Sequence, residues 1–427
     1  MVGVGGSIGT GLLLGSGAAV RIAGPAVILS FAAAALITGT VTMALGEMAS
    51  LHPSAGSFGT YAELYLNPWA GFISRYGYWL AIAIAVGGEM VASATYMQFW
   101  FPRVHAIVWI MLFAAALLAV NLRTVGDYGS FEFWFAMIKL VTMLAFIVLG
   151  TVLLLAHWIP PQYAASGGFF PNGHISPLLA MSFALFTFAG IEMVAIASGE
   201  ARSQQAIARA VRLTFAILTV VYVGAIVVLV GVMPWNGAGV TQSPFVAVFR
   251  HVGLPAAAHV MNFVVLSAAL SGANASLYAD SRTLFSLARA GYAPSTFGKL
   301  TVAGAPLRAL VASSFGILVA LVMERWAPEN AFVHLIGAAL FGAMLAWLVA
   351  LAAHIRFRAR LTAEELAALP MRSPGGATAS IVGFIAIVIS LAATWWYSRV
   401  TVLSGVAYIA ALSAAYALAN ARLKRKR

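Results

Sequence analysis

The chain has 427 residues, of which 62% are hydrophobic and only 8% charged, with a mean hydropathy of +0.95. So little polar surface excludes a soluble globular domain and identifies a polytopic membrane protein. Zero cysteines exclude disulfides, thiolate chemistry and Cys-ligated metals, and the net charge of +12 is distributed as a topology signal rather than as a nucleic-acid surface.

Apolar stretches divided by polar or turn-rich breaks predict an all-α protein of about twelve transmembrane helices, each near the ~20 residues a span requires. The expected spans are 1–22, 25–50, 72–101, 105–122, 131–157, 176–200, 209–232, 256–289, 308–324, 329–354, 378–397 and 402–421. Two amphipathic stretches, 53–70 and 359–371, are too short or too polar to span. The N-terminus lacks the basic region of a cleavable signal, and apolar segments continue to the C-terminus.

The first span carries Gly5-Gly6-Ser7-Ile8-Gly9-Thr10-Gly11. Glycine at this density disfavours a helix interior. In hydrocarbon an opened helix leaves peptide groups unpaired, so it persists only where it lines a cavity or binds something. Freed N–H groups and the positive end of a new half-helix from residue 11 suit a carboxylate, with Ser7 and Thr10 adding hydroxyls. Close packing of two helices through small residues explains the glycines equally well. The spacing does not fit a dinucleotide fingerprint.

Four ionisable residues fall well inside apolar spans: Glu47, Glu89, Lys139 and Glu192. A charge at that depth costs about 2.5–3.5 kcal/mol on insertion scales, so each calls for a function or a partner. Glu47, near a helix end, reads as a structural partner. Glu89 follows Gly87-Gly88 and can face a cavity, although a packing role is as consistent with its position. Lys139 and Glu192 favour function: an amine in the bilayer interior can carry a proton or replace a bound cation.

The sixth span breaks at Phe186-Thr187-Phe188-Ala189-Gly190-Ile191-Glu192. Carbonyls released near Phe186 and Ala189 offer acceptors to an ammonium group. The two breaks together make a cradle for a zwitterion, and Phe186 and Phe188 can pack over its side chain or simply face core or lipid. Breaks opening two successive groups of five helices fit an inverted repeat, 1–157 and 176–354, within a single transporter domain of 1–427 that adds two helices at 378–421. The eighth span is unusually polar, with Ser267, Ser271, Asn274, Ser276 and Asp280, which suits either a cavity wall or an interhelical seam.

With the N-terminus inside, 18 of 24 basic residues fall on cytoplasmic loops, helix ends and the tail 422–427. Arg21, Arg103, Arg250, Arg325 and Arg399 fall on the opposite side, and Lys139 is left within a helix. That asymmetry places both termini in the cytoplasm. The basic tail reads as an anchor near anionic lipid.

These motifs resemble those of the amino acid permeases in the amino acid–polyamine–organocation (APC) superfamily. The first-helix run 5–12, Leu45-Gly46-Glu47-Met48-Ala49 with His52-Pro53-Ser54-Ala55-Gly56-Ser57-Phe58, Phe188-Ala189-Gly190-Ile191-Glu192 with Gly199-Glu200-Ala201, and the stretch 271–285 occur in family order over the whole chain. Glu89 and the stretch 133–139 point to the bacterial amino acid transporter branch. The resemblance implies a five-plus-five inverted repeat, alternating access at the inner membrane and uptake of amino acids with protons. It implies a substrate carboxylate on the backbone of Gly9, Thr10 and Gly11, and an amine on carbonyls of Ser7, Phe186 and Ala189. Lys139 would stand in the place of a sodium site, and Glu89 and Glu192 match positions of substrate contact or coupling. The family carries a basic tail and further helical turns before the first break, whereas Met1 here sits just before it. Either the true start lies upstream or the inner half-helix is lacking.

The expectation is a proton-coupled amino acid symporter, with an exchanger or a transporter-like nutrient sensor as alternatives. A membrane enzyme is disfavoured because the eight His residues form no H-E-x-x-H pattern, and a channel because no charged ring is evident. No metal or cofactor is expected. The expected partners are an amino acid, protons and membrane lipid.

Overall fold

The computed structural model describes residues 7–53, 57–122, 128–165, 167–192, 203–301, 304–397 and 399–424. All regular structure among them is helical. Eight helical stretches among these residues are long and apolar enough to cross a membrane, and three shorter apolar helices accompany them. The motif residues at 5–6, 54–56 and 199–201, Met193, and the tail residues 425–427 lie outside the described residues.

The first stretch, Gly11–Leu51, comprises 41 residues. A continuous helix of that size would run about 60 Å, roughly twice the hydrocarbon thickness, so one straight pass is excluded. Gly24 divides it with φ 61°, a left-handed backbone that suits glycine, and Pro25 follows. Before the turn lie a π-helical segment, Gly11–Gly15, and α1, Ser16–Ala23; after it comes α2, Val27–Leu51.

The short α3, Ser57–Tyr65, occupies the first amphipathic stretch. Next comes α4, Pro68–Gln98, started by Pro68 and by the Asn67 side chain, which accepts from the Ala70 N–H at 2.9 Å. α5 is Ala106–Asn121 and α6 is Tyr128–Leu155. The 3.6-residue period of α6 turns Ala136, Lys139, Met143 and Phe146 inward, while Trp134, Val141 and Val148 are exposed. Lys139 is thereby only 2% exposed.

α7, Ser176–Thr187, stops after twelve residues, less than a span. α8, Gln204–Val232, opens on the Ser203 cap. α9, Pro244–His251, α10, Pro255–Arg289, α11, Leu307–Ser313, α12, Phe315–Trp326, and α13, Ala331–Arg360, follow. α14, Ala363–Ala368, carries a full capping box from Thr362 and Glu365. α15, Gly376–Tyr397, and α16, Arg399–Lys424, complete the bundle.

Two features depart from the sequence expectation. The loop after α8 contains the helix α9, whose Phe245, Val246 and Val248 are buried. The expected span 308–324 is divided at Ser314 into α11 and α12. Arg75, Arg358 and Arg360 meet α3 or α2 at one end of the bundle, called the basic end below.

Candidate functional site

The two interrupted helices meet. Ile8 and Gly9 form a bend between helical Ser7 and Thr10, ahead of the π-helical segment. Beyond Thr187 the α7 backbone tightens into turns, with Phe188 N–H donating to the Leu185 carbonyl at 3.0 Å and Ala189 N–H to Phe186 at 2.9 Å. Gly190 then adopts φ 98°, which ends the helix. A Cβ on Gly11 would stand 3.0 Å from Thr187 Cα and 3.2 Å from Phe186 Cδ1, so the absence of a side chain lets the breaks touch.

Glu89, midway along α4, lies against the first break. The Thr10 N–H points to its Oε1 at 3.5 Å, a long and weak bond. A Cβ on Gly9 would lie 3.1 Å from the same oxygen, and one on Gly272 of α10 would lie 3.6 Å from it. The Thr10 side chain also faces the Glu89 carboxyl, although its hydroxyl makes no hydrogen bond of ordinary geometry. Lys139 is within electrostatic reach of Glu89.

Gly9, Glu89, Phe186, Ala189 and Gly190 remain partly accessible although neighbours such as Ile8, Leu185 and Phe188 are sealed. Partial accessibility at the centre of a bundle marks the wall of an internal space. Ser7 is buried, and its carbonyl accepts the Tyr222 hydroxyl of α8 at 2.5 Å. The Phe186 carbonyl is likewise engaged by Ala189 N–H. Each carbonyl keeps a second lone pair for a ligand.

Phe188 is fully buried, its ring 4.9 Å from that of Tyr222 in an edge contact. It therefore supports the break from behind, while Phe186 borders the internal space. Glu192 closes the second break: its Oε2 accepts the Gly190 N–H at 3.1 Å. The Tyr78 hydroxyl of α4 and the Trp347 indole of α13 lie beside this carboxylate.

The sequence candidates thus fall into distinct groups. Gly9, Glu89, Phe186 and Ala189 border the internal space with Lys139 close by. Thr10 and Gly11 are buried in the contact between the breaks, and Ser7 and Phe188 pack behind while Glu192 caps the second break. Tyr222, Tyr78 and Trp347 were not singled out by sequence reasoning. A tyrosine or tryptophan in an apolar helix needs a partner for its polar tip, and that is the signal they carried.

Among known families, the sequence profile described as Amino acid permease matches residues 1–423. An uncharacterized amino acid permease of Bacillus subtilis (strain 168), YtnA, is 37% identical over 97% of this chain and 92% of its own. The gamma-aminobutyric acid permease of the same organism is 36% identical over 92% of this chain and 86% of its own. The aromatic amino acid transport protein AroP of Escherichia coli (strain K12) is 35% identical over 84% of this chain and 80% of its own. Among solved structures, a manganese transporter of Eremococcus coleocola aligns with a TM-score of 0.61, covering 99% of this chain and 93% of its own. At 12% identity that likeness concerns the fold alone.

Proposed function

This chain belongs to the amino acid permease family of the APC superfamily, a family of multi-pass membrane transporters rather than enzymes, and we propose that it is a proton-coupled amino acid symporter. The observation carrying this reading is the contact between two interrupted helices beside the Glu89 carboxyl and a buried lysine.

In the proposed cycle a substrate carboxylate lies on the N–H groups around Gly9, Thr10 and Gly11, at the start of the helical run that continues into α1. The ammonium group takes the free lone pairs of carbonyls at Ser7, Phe186 and Ala189. Phe186 borders the side-chain space, which favours a neutral, moderately apolar amino acid. Glu89 contacts the substrate and shares its electrostatic field with Lys139. A proton gained or lost at Lys139 or Glu192 changes the charge balance beside each break, so protonation and substrate occupancy are linked.

Residues 1–157 and 176–354 form the two inverted repeats of this proposal, with 378–421 outside them. The basic end faces the cytoplasm of an inner membrane, with both termini on that side. Rocking of one group of helices against the other then exposes the same site to either face.

The test is uptake of a panel of radiolabelled amino acids by proteoliposomes under an imposed pH gradient. The reading expects accumulation that needs the gradient and no internal amino acid. Uptake that depends on internal amino acid overturns symport in favour of exchange, and no uptake of any panel member overturns transport of amino acids by this chain.

A further inference from the structure

A second buried polar cluster lies between the Glu192 break and the basic end. Five side-chain atoms in this region are buried without a hydrogen-bond partner: Glu192 Oε1, Tyr78 OH, Trp347 Nε1, Asp280 Oδ2 and Ser74 Oγ. Both Glu192 and Asp280 lie within electrostatic reach of the Tyr78 hydroxyl, and Trp79, the next residue of α4, donates to Ser313 beside Asp280. Ser74 is one helical turn before Tyr78 on the same face of α4. All five residues are 5% exposed or less.

Asp280 is the member that packing alone does not explain. It is 2% exposed, on the part of α10 that leads to Arg289. Ser313 Oγ accepts the Trp79 indole N–H at 2.9 Å and keeps its own proton to donate to Asp280. One Asp280 oxygen is thereby served while Oδ2 is left bare. A buried bare carboxylate is costly; a protonated one is a donor and finds a use beside a tyrosine oxygen.

Among the described residues, no basic group neutralises it. Tyr408 of α16 lies within its field but donates to the Gly77 carbonyl at 2.7 Å. Arg75 of α4 is held by Glu63 at 2.7 Å, Arg282 of α10 lies over the Tyr278 ring, and Arg308 of α11 is exposed. The Tyr78 ring packs against Phe58 of α3 at 4.7 Å, under the cover of the basic end.

We propose that Asp280 is a second proton-carrying carboxyl, and that Tyr78 relays the coupled proton between it and Glu192. In the relay step protonated Glu192 gives its proton to the Tyr78 oxygen while the Tyr78 proton passes to the Asp280 carboxylate. Tyrosine ends unchanged, and one proton has moved from the substrate-side carboxyl to the one nearer the basic end. The proposal rests on the symport reading above and adds to it the route by which the proton leaves.

The experiment uses the full chain in proteoliposomes with a radiolabelled amino acid mixture, measuring accumulation under a pH gradient and, separately, exchange between equal internal and external pools. Exchange needs the substrate site and the rocking motion but no net proton transfer. Asp280→Asn is expected to cut gradient-driven accumulation about tenfold and leave exchange close to wild type. Tyr78→Phe, which removes the hydroxyl alone, is expected to slow accumulation with the same spared exchange. A difference infrared spectrum between acid and neutral pH should contain a protonated-carboxyl band that Asp280→Asn removes.

Gradient-driven accumulation by Asp280→Asn equal to wild type overturns the relay. So does equal loss of both activities in Asp280→Asn with Tyr78→Phe unaffected, which would mark a structural residue. Should the wild type itself fail to respond to the gradient, the symport reading fails first, in a measurement without any variant, and the relay falls with it.

Discussion

Glu47 is the carboxylate at the end of α2 that most needs an explanation, because its side chain is wholly buried. Arg358 of α13 grips both oxygens, Nε to Oε1 and Nη2 to Oε2, each at 2.8 Å. The Ser373 N–H donates to Oε2, and His354 Nε2 stands 3.5 Å from Oε1. A bidentate guanidinium plus a backbone donor satisfies the carboxylate in a way no single lysine would. Arg358→Ala leaves the charge buried and unpaired, so a loss on the order of 3 kcal/mol is expected. Replacing both partners, as Glu47→Leu with Arg358→Met, should recover much of it. Thermal unfolding of the detergent-solubilised protein followed by size exclusion decides this, and an Arg358→Ala variant that melts with the wild type refutes the argument. The sequence marked Glu47 as a paired charge because a bare one is too costly at that depth. Its partner was not legible: Arg358 is 311 positions away, and Arg356, Arg360 and Arg372 are equally basic candidates in the same stretch. The site shows the same limit. Thr10 and Glu89 were each singled out from local chemistry, but their meeting across 79 positions is a tertiary fact.

At the scale of elements, interruptions were legible wherever glycine wrote them and obscure elsewhere. Gly9, Gly11 and Gly190 announced the two interrupted segments, and the packing reading of the first run holds at Gly11. Gly11 is a packing glycine, since Phe186 and Thr187 fill the space a side chain would take. Gly9 faces Glu89 instead. Gly87, next to the candidate carboxyl, serves the α4–α12 seam, where a Cβ on Gly316 would overlap the Ala83 carbonyl. The division of α11 from α12 at Ser314 went unseen because Gly316, two residues on, lies in an otherwise continuous apolar stretch and reads equally as a packing glycine, and α9 because eight residues are too few to show a period. Gly11→Val tests the seam between the breaks. The added isopropyl group, whose Cβ alone would stand 3.0 Å from Thr187 Cα, cannot fit, so the helices must part by about an ångström or more, a misplacement that costs on the order of a hundredfold in activity at a reacting or binding centre. Uptake should fall by that order while the protein stays monodisperse, and a Gly11→Val variant with wild-type uptake means the two breaks need not touch.

Over the whole molecule, α3 acts as the fastener of the basic end, joining three parts of the bundle. Arg75 of α4 holds Glu63 at 2.7 Å, and Tyr292, beyond the end of α10, donates to the other Glu63 oxygen at 2.8 Å. Arg360 of α13 donates to the Leu64 carbonyl at 3.0 Å. Any motion that opens this end must release these bonds together. Partial burial pushes the Glu63 carboxyl up, but hydrogen bonds from Arg75 and Tyr292 outweigh it and hold the group below its ordinary value. The sign follows from that: the fastening is fully present above the released value of about 4.3 and is lost as pH falls through the lower, fastened value. Its free energy is modest, since Glu63 keeps a third of its side chain exposed. Amide hydrogen exchange in α3, corrected for intrinsic rates, should therefore rise on acidification in the wild type, and be high at neutral pH in Glu63→Gln with little further change. The absence of cysteine allows a second reading of the same event at neutral pH. A cysteine placed at Ala189 should react severalfold faster with an impermeant maleimide applied from the basic end when Arg75→Ala is added, as expected when a local opening equilibrium is shifted by about 1 kcal/mol. Equal labelling with and without Arg75 would show that α3 decorates this face without closing it.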